Sequence, residues 1–279
     1  MRLKLAGIKR QSDYSPNHVE NDLLILLKTA ERLESLGTDV KIYNEETACD
    51  EHIDADFIFS MAQGPTAQEK LLQLENNGIN IINSPKAVIN CYRVNMVKKL
   101  QNNNIPFPQS IVVGTNAICD TVLRDFSSKK IWLKRGDVHA VHREDVTLVY
   151  SDEEKNNVIN EFAKRKIIEA VLQEHVDGDL IKFYALRDMD FFYWYQINGK
   201  QPTKFDLNNL KELACLSAEV LGLYIFGGDA IISGSGKITI IDINDWPSFA
   251  PVRDEASKQI AKLIFNKACK VTRKKGKIC

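Results

Sequence analysis

The sequence predicts an α/β protein with an N-terminal doubly wound parallel sheet, followed by a larger α+β part in which helices alternate with hairpins. Short apolar runs with the length and composition of strands occur at 3–8, 40–43, 56–60 and 79–82. Leucines recur at helical spacing between these runs, and Gly37 and Gly78 end the two clearest helical stretches. Strands that alternate with helices imply a parallel sheet, whose ligands bind beyond the carboxyl ends of the strands.

Composition limits the classes of partner. The 279 residues contain 37 basic and 37 acidic side chains, so no net field attracts nucleic acid or an anionic membrane. No apolar run reaches the length of a signal-peptide core or a transmembrane helix, and the six cysteines are scattered without a CxxC pair. We therefore expect a cytoplasmic protein that binds neither nucleic acid nor a membrane. The sequence leaves the oligomeric state open, a homo-oligomer included.

A hairpin at 227–249, GGDAIISGSGKITIIDINDWPSF, carries the most informative chemistry. Because side chains alternate along a strand, Ile240, Asp242 and Asn244 are predicted to share one face, and Asp229 joins them from the partner strand. An ionised aspartate on an apolar face is costly unless a charged group meets it. Two carboxylates and an amide form a hard oxygen ligand set that suits Mg²⁺. The alternative is structural: a buried aspartate that caps a turn and an asparagine in a loop.

The order of motifs resembles that of the ATP-grasp superfamily. These motifs are Arg93, IPFP at 105–108, Lys134, QEHVDGD at 173–179, Asp229, and Asp242-x-Asn244. The resemblance covers nearly the whole chain and implies the ATP-grasp fold: an α/β pre-domain at 1–88 and two α+β lobes, at 89–170 and 171–279, that sandwich a nucleotide. The hairpin run IDIN, followed two residues later by Pro, is most similar to the inositol-polyphosphate-kinase branch. Members similar to ribosomal-protein glutamate ligases have EVN at this point.

The resemblance implies ATP as cofactor, with Mg²⁺, or Mn²⁺ in its place, held by Asp229, Asp242 and Asn244. Lys134 matches a lysine that reaches the α- and β-phosphates. Arg93 stands where the family usually has another lysine, and it supplies the charge as a planar fork.

The loop at 135–143 departs from the family pattern. A glycine-rich lid is usual there, but this loop contains a single glycine. The side chains of Arg135, His139, His142 and Arg143 could add donors for a phosphate. The alternative is an ordinary polar loop.

The run at 173–179, which we call the hinge segment, resembles the family's adenine-binding hinge. By resemblance, Gln173, Glu174, His175 and Val176 contact the nucleotide, with the backbone around Glu174 and Val176 pairing with the adenine edge. Asp179 supplies an acid near the ribose.

The acceptor site is less defined by the sequence. Lys182 matches a basic residue that faces the transferred phosphate. Arg253 could reach the substrate, or it could instead cap the following helix or pair with Glu255. Further candidate contacts on the loops after the predicted strands are Lys9, Arg10, Ser15, His18, Gln63 and Thr66. The aromatic residues at 191–195 are expected to pack in the core rather than to form a substrate platform.

Two reactions fit this pattern. If a carboxylate accepts the phosphoryl group and an amine then displaces it, the enzyme is an ADP-forming carboxylate–amine ligase acting on small molecules, which we favour. If a hydroxyl accepts it, the enzyme is a small-molecule kinase of the inositol-polyphosphate-kinase type. A peptide-ligase arginine is missing from 194–197, and this favours the kinase. A third interpretation is a nucleotide-binding protein without turnover.

Overall fold

The computed structural model describes residues 2–15, 18–116, 123–138, 141–198 and 203–274. The strands in these ranges form three four-stranded sheets, of which the first is parallel and the other two are antiparallel. This is the arrangement that the resemblance implies. In this part of the chain, no helix is both long and apolar enough to cross a bilayer.

The first sheet has the strand order β2-β1-β3-β4 and is covered by helices on both faces. Its elements are β1 (Lys4–Lys9), α1 (Val19–Ser35), β2 (Asp39–Asn44), α2 (Glu45–Ala48), β3 (Phe57–Ser60), α3 (Pro65–Asn76) and β4 (Asn80–Ile82). Leu5 and Phe57 pack with Leu26 of α1, whereas Ile58 packs with Leu71 of α3. The predicted doubly wound sheet is therefore confirmed.

The second sheet has the order β5-β8-β6-β7. Its elements and the helices near it are α4 (Pro85–Asn90), α5 (Arg93–Asn102), β5 (Ser110–Gly114), β6 (Ile131–Arg135), β7 (Val146–Val149), α6 (Asp152–Lys164) and β8 (Glu169–Glu174). The apolar spacing at 88–103 predicts one helix, but extended backbone at Tyr92 (φ −58°, ψ 133°) separates α4 from α5. Arg93 thereby becomes the first residue of a helix.

The third sheet has the order β10-β9-β11-β12. Its elements and helices are β9 (Asp179–Leu186), β10 (Phe191–Gln196), α7 (Leu207–Leu221), β11 (Ile225–Ile232), β12 (Ile238–Asp245) and α8 (Arg253–Lys274). Its apolar face packs against α7 and α5, and Phe183 and Phe226 lie in one buried cluster with Ala214 and Met96. The last strand of the second sheet along the chain, β8, ends at residue 174. The domain boundary between residues 170 and 171 stays a prediction.

The C-terminal helix connects the first and third sheets. In one buried cluster, Ile260 of α8 packs with Leu26 of α1, Phe59 of β3, Ile225 of β11 and Trp246. Because these residues come from both sheets, the loops at the carboxyl ends of β1 and β3 face the end of β12.

The pairing of β11 with β12 contains a bulge. Asp229 pairs with Asp242, whereas the next residue, Ala230, pairs with Ile240. Ile241 is therefore the extra residue of β12. A bulge of this kind reverses the alternation of side chains beyond it.

The bulge corrects the predicted face of the hairpin. Ile240 packs in the core together with Ile243, whereas Ile241, Asp242 and Asn244 line cavities on the opposite face. The prediction that Ile240 shares a face with Asp242 and Asn244 is wrong, because strict alternation cannot reveal an inserted residue.

Gly228 of β11 is closely packed between its neighbouring strands. A Cβ atom there would lie 2.5 Å from the backbone oxygen of Asp242 and 2.5 Å from Cζ of Phe183. We expect Gly228→Ala to lower the free energy of unfolding by about 1–3 kcal/mol, because overpacking forces the strands apart. Urea unfolding measures this change.

Gly114→Ala in β5 is the matched control, since no heavy atom lies within 4 Å of its Cβ position. We expect the control to stay within about 0.5 kcal/mol of the wild type. Equal stability of the two variants would contradict the close packing of β11.

Candidate functional site

Two cavities meet inside the molecule. The hinge cavity, of about 480 Å³, lies between the second and third sheets and includes residues 173–178. The loop cavity, of about 430 Å³, lies between the third sheet and the loops after β1 and β3. Arg93, Val146, Asp229 and Asp242 line both cavities. These residues therefore mark the junction at which two ligands would meet.

Lys134 supplies a buried cation to the hinge cavity. It is 6% exposed, and its Nζ donates a hydrogen bond of 2.6 Å to Oε1 of Gln173. Burial, and secondarily the Arg93 guanidinium, lowers the pKa of Lys134 to about 8. An anion bound here would favour the charged lysine, so the site suits a phosphate.

Arg93 supplies a second cation at the junction. Its position at the start of α5 places it at the positive end of a helix dipole. Nη1 lies 3.8 Å from Oδ2 of Asp242, and the buried Nε donates to no described residue. A buried N–H beside a cavity can be satisfied by a phosphate oxygen.

The two aspartates face these cations. Asp229 and Asp242 are direct partners across β11 and β12, and Asp229 is also the register partner of Lys182 on β9. Lys182 Nζ lies 3.5 Å from Oδ1 of Asp229. Burial raises the pKa of Asp229 to about 6, although Lys182 opposes the rise and Asp242 adds to it. The Asp229 carboxylate is thus close to other charges without being strongly neutralised.

The donor set at the junction fits Mg²⁺. Asp229, Asp242 and Asn244 offer carboxylate and amide oxygens on one face, and Oδ1 of Asp229 is buried without a hydrogen bond from any described residue. Mg²⁺ takes one or two carboxylates and completes its shell with water and phosphate oxygens. Within the described ranges, no cluster of three or more His, Cys, Asp or Glu residues is arranged for a metal. Asp229, Asp242 and Asn244 do not count as such a cluster, because asparagine is not one of these four residue types.

The hinge segment forms part of the wall of the hinge cavity. Gln173, Glu174, His175 and Val176 all contribute to its wall. The backbone N–H of Glu174 donates to Gln109 and that of His175 to Lys130, at 2.9 and 3.0 Å. The N–H of Val176 donates to no described residue. The backbone at this position can therefore donate to a nucleobase.

Two predicted site residues lie outside the two cavity linings. Asp179 begins β9, and its Oδ2 accepts hydrogen bonds from the backbone and hydroxyl groups of Thr203. These bonds lower the pKa of Asp179. Arg253 begins α8 and donates through Nη2 to Oδ1 of Asn21. Asn21 itself lines the loop cavity, so Arg253 contacts the site through it.

In the loop at 135–143, the Arg135 side chain is paired with two nearby carboxylates. Arg135 donates to Asp137 at 2.7 and 2.9 Å and to Asp145 at 3.2 Å. Asp145 also accepts from the backbone of Val141 and His142. Neither cavity lining includes Arg135, His142 or Arg143, and His139 lies outside the described residues.

Arg10 connects the first sheet to the end of β12. Its Nη1 donates to Asp22 at 2.7 Å, Nε to the carbonyl of Met61 at 3.1 Å, and Nη2 to the carbonyls of Asp245 and Trp246 at 3.1 Å each. The guanidinium is thereby used in holding β1, α1, β3 and β12 together. It fixes the wall of the loop cavity next to Asp242 and Asn244.

A buried glutamate orders the same loops. Glu45 accepts backbone hydrogen bonds from Gln11, Gln63 and Gly64 at 2.7, 3.1 and 2.5 Å. Burial raises the pKa of Glu45, and these three bonds oppose the rise. The loops after β1 and β3 are therefore tied to one carboxylate. Of the other N-terminal candidates, Ser15, His18 and Gln63 line the loop cavity, Lys9 lines a separate smaller one, and Thr66 is exposed.

The structure adds aromatic site residues that the sequence did not single out. Trp132 lines the hinge cavity, and Tyr184 and Tyr195 line the loop cavity. All five aromatic residues at 191–195 pack against the buried clusters, as predicted, and Tyr195 in addition lines the loop cavity. Trp132 lies two residues before Lys134, and Tyr184 lies two residues after Lys182. Because side chains alternate along a strand, each ring could have been placed on the same face as its lysine.

Sequence comparison gives a partial match. No family model matches the chain. Inositol-tetrakisphosphate 1-kinase 6 from Oryza sativa subsp. indica is 29% identical over a region that covers 36% of this chain and 25% of the kinase. The same protein of subsp. japonica matches equally. The matched region thus spans about a quarter of the length of these curated relatives.

Structure comparison gives matches over nearly the whole chain. D-alanine–D-alanine ligase from Bacillus anthracis, complexed with ATP, has a TM-score of 0.72 at 12% identity and covers 98% of this chain and 99% of its own. A RimK domain ATP-grasp protein from Sphaerobacter thermophilus has a TM-score of 0.67 at 16% identity, with 94% and 99% covered. At these identities the likeness establishes a shared fold and leaves the activity open.

The pKa of Lys134 predicts a pH dependence. Nucleotide phosphate favours the charged lysine, so affinity should be highest below the free-protein pKa of about 8 and should fall as the pH rises through it. Calorimetric titration of ADP without Mg²⁺ should show about a tenfold loss of affinity between about pH 7 and about pH 9.

Lys134→Met should weaken binding at neutral pH and remove this dependence. Lys98→Met, which changes an exposed lysine on α5, is the control and should keep the wild-type pH dependence of ADP affinity. A wild-type pH profile in Lys134→Met would show that Lys134 is not the phosphate contact.

Proposed function

Because this chain has the ATP-grasp fold, we propose that it is a Mg²⁺- and ATP-dependent enzyme, and specifically a carboxylate–amine ligase. In the proposed reaction, an acceptor carboxylate oxygen attacks the γ-phosphorus of ATP and ADP leaves. The nitrogen lone pair of an amine then attacks the acylphosphate carbonyl. Phosphate leaves, the nitrogen loses a proton, and an amide remains.

The meeting of two cavities at one charged junction carries this proposal. Phosphoryl transfer depends on placing donor and acceptor in line and neutralising charge between them. Arg93, Asp229 and Asp242 line both cavities. A γ-phosphate at the inner end of the hinge cavity would therefore lie beside a molecule in the loop cavity.

Each residue of the junction has a role in this proposal. Mg²⁺, when held by Asp229, Asp242 and Asn244, would neutralise charge on the phosphate oxygens. Lys134 and Arg93 bind the same phosphates from the second sheet and α5. Burial strengthens these interactions, because the low local dielectric leaves them weakly screened.

The charges of the loop cavity support a carboxylate acceptor. Among its described residues other than His18, Arg10 is held by Asp22 at 2.7 Å, which leaves Arg93 and Lys182, 3.8 and 3.5 Å from Asp242 and Asp229. The proposal already uses Arg93 for the nucleotide phosphates, and a polyphosphorylated acceptor would need several further cations. Lys182 is the most exposed of the three, at 31%, and can bind one carboxylate.

A small-molecule kinase is the second candidate. The hairpin run IDIN at 241–244 and the partial match to inositol-tetrakisphosphate 1-kinase 6 favour it. The same junction would serve a hydroxyl acceptor, which needs no amine. Dependence of ADP release on an amine therefore separates the two reactions.

The test is a screen for ADP release. Mg-ATP is offered with small carboxylates, each with and without an amine, and separately with inositol phosphates. Release that requires both carboxylate and amine supports the ligase, and release with inositol phosphates alone would establish the kinase. Tight Mg-ATP binding without ADP release from any acceptor would overturn both in favour of a binding protein.

Asp242→Asn tests the metal site. We expect the variant to fold normally and to bind ATP with the same affinity in the presence and absence of Mg²⁺. Its turnover should fall by a factor on the order of 100. Calorimetry with and without Mg²⁺ measures the affinity. Asp54→Asn is the control, because the Asp54 side chain is 69% exposed. This variant should keep the wild-type Mg²⁺ dependence. Wild-type Mg²⁺ dependence in Asp242→Asn would disprove the assignment.

Lys182→Met tests the acceptor site. Because a charge-assisted hydrogen bond contributes about 1.5–3 kcal/mol, KM for the carboxylate found in the screen should rise about tenfold or more. The affinity for ADP should stay unchanged, since the hinge cavity lining does not include Lys182. A loss of ADP affinity with unchanged KM for the carboxylate would place Lys182 on the nucleotide instead.

A further inference from the structure

Two tyrosine hydroxyls in the loop cavity have no part in the reaction as proposed so far. Tyr184 of β9 and Tyr195 of β10 both line this cavity, and their hydroxyl oxygens are 3.5 Å apart. We call these two residues the tyrosine pair. Among the described residues, neither hydroxyl has another hydrogen-bond partner. A separation of 3.5 Å is long for a hydrogen bond between hydroxyls, so both O–H groups can donate to a ligand in the cavity.

Apolar packing holds the rings of the tyrosine pair in place. The Tyr184 ring lies 5.1 Å from the Phe249 ring and 6.5 Å from the Tyr193 ring, to which it is nearly parallel. The Tyr195 ring lies 6.0 Å from the Tyr193 ring. All four residues belong to, or pack against, the buried cluster that the first and third sheets share. This packing restricts where the two hydroxyls lie and so lowers the entropy cost of binding a ligand.

The strand register places the tyrosine pair beside Lys182. Tyr195 is the register partner of Lys182 across β9 and β10, and Tyr184 follows Lys182 by two residues on the same face of β9. On its other side, Lys182 is the register partner of Asp229. Because neighbouring strands are about 4.8 Å apart, the backbone of Tyr195 lies about 10 Å from that of Asp229. An ammonium group and two hydroxyls therefore follow the junction along one face of the sheet.

Together these three groups suit a ligand that only accepts hydrogen bonds. Burial, and secondarily the hydrogen bond with Tyr195, raises the pKa of Tyr184. The Tyr184 phenol therefore stays protonated near neutral pH, so it donates a hydrogen bond and does not serve as a base. An ionised carboxylate has no proton and about four lone-pair sites, so it can accept from the ammonium and from both hydroxyls. A neutral amide of the same shape lacks the charge and offers a single oxygen.

We infer that Tyr184 and Tyr195 are specificity-determining residues that bind the carboxylate of the acceptor together with Lys182. This inference rests on the proposed function, since it takes the acceptor as the occupant of the loop cavity. One carboxylate oxygen faces the junction, and the other accepts hydrogen bonds from the tyrosine pair. The pair thereby selects a carboxylate over an uncharged group of the same size.

Acetate and acetamide are the probes, because they match in size and differ in charge. Their dissociation constants are measured by ¹³C NMR titration of the full chain saturated with Mg-ADP, at constant ionic strength. The nucleotide then occupies Lys134 and Arg93, so that acetate reports on the loop cavity. The wild-type protein should bind acetate about tenfold more tightly than acetamide, because hydrogen bonds to a charged group are the stronger ones.

Tyr184→Phe and Tyr195→Phe each remove one hydroxyl and keep the ring. Each variant should bind acetate about tenfold more weakly and should change the affinity for acetamide much less. The affinity for Mg-ADP should stay unchanged, since the hinge cavity lining includes neither tyrosine. Tyr193→Phe is the matched control: Tyr193 packs against both rings but lies outside both cavity linings, so this variant should keep the wild-type affinity for acetate.

The outcomes separate this inference from the proposed function. Absence of Mg-ADP binding by the wild-type protein would remove the proposed function and this inference with it. Mg-ADP binding without a preference for acetate over acetamide would overturn the inference alone. Wild-type acetate affinity in both Tyr184→Phe and Tyr195→Phe would also overturn it. An equal loss of acetate affinity in Tyr193→Phe would do the same, because the effect would then come from the packing of the rings.

Discussion

Opposite charges buried at the junction of two cavities are the constraint on which the site depends. Burying an ion is costly unless partners compensate it. Here the pairs between Arg93 and Asp242 and between Lys182 and Asp229 are 3.8 and 3.5 Å long, beyond the roughly 2.7–2.9 Å of strong charge-assisted hydrogen bonds. The shifted pKa values of Lys134 and Asp229, about 8 and about 6, record the same incomplete compensation. A ligand that carries both phosphate and a divalent cation would complete it.

The surrounding structure holds these charges at fixed positions. Cross-strand register sets Lys182 opposite Asp229 and Asp229 opposite Asp242. Arg10 secures the end of β12 to the first sheet, and Glu45 secures the loops after β1 and β3. The loop cavity is therefore walled by segments of the first and third sheets that hydrogen bonds and a shared buried cluster hold together. These contacts would position a bound acceptor relative to the junction.

The second sheet is attached differently. It has its own hydrophobic cluster around Ile131 and Leu172, whereas the first and third sheets share the cluster around Trp246. The hinge cavity lies at this boundary between separate cores. A ligand bound there would contact side chains of both sheets.

Much of this arrangement could be predicted from the amino-acid sequence, because it depends on local pattern. Apolar runs alternating with helices determined the parallel sheet, and the order from Arg93 through Lys134 to Asp242 identified the fold. The residue types also determined the chemistry, since lysine, arginine and aspartate have few other reasons to be buried together. The tertiary structure decided what depends on register and long-range contact. A single inserted residue placed Asp242 and Ile241 on the cavity face, because side-chain alternation reverses at a bulge. Long-range packing likewise made Arg10 a structural contact and brought Trp132 against His175, two relationships that no local periodicity contains.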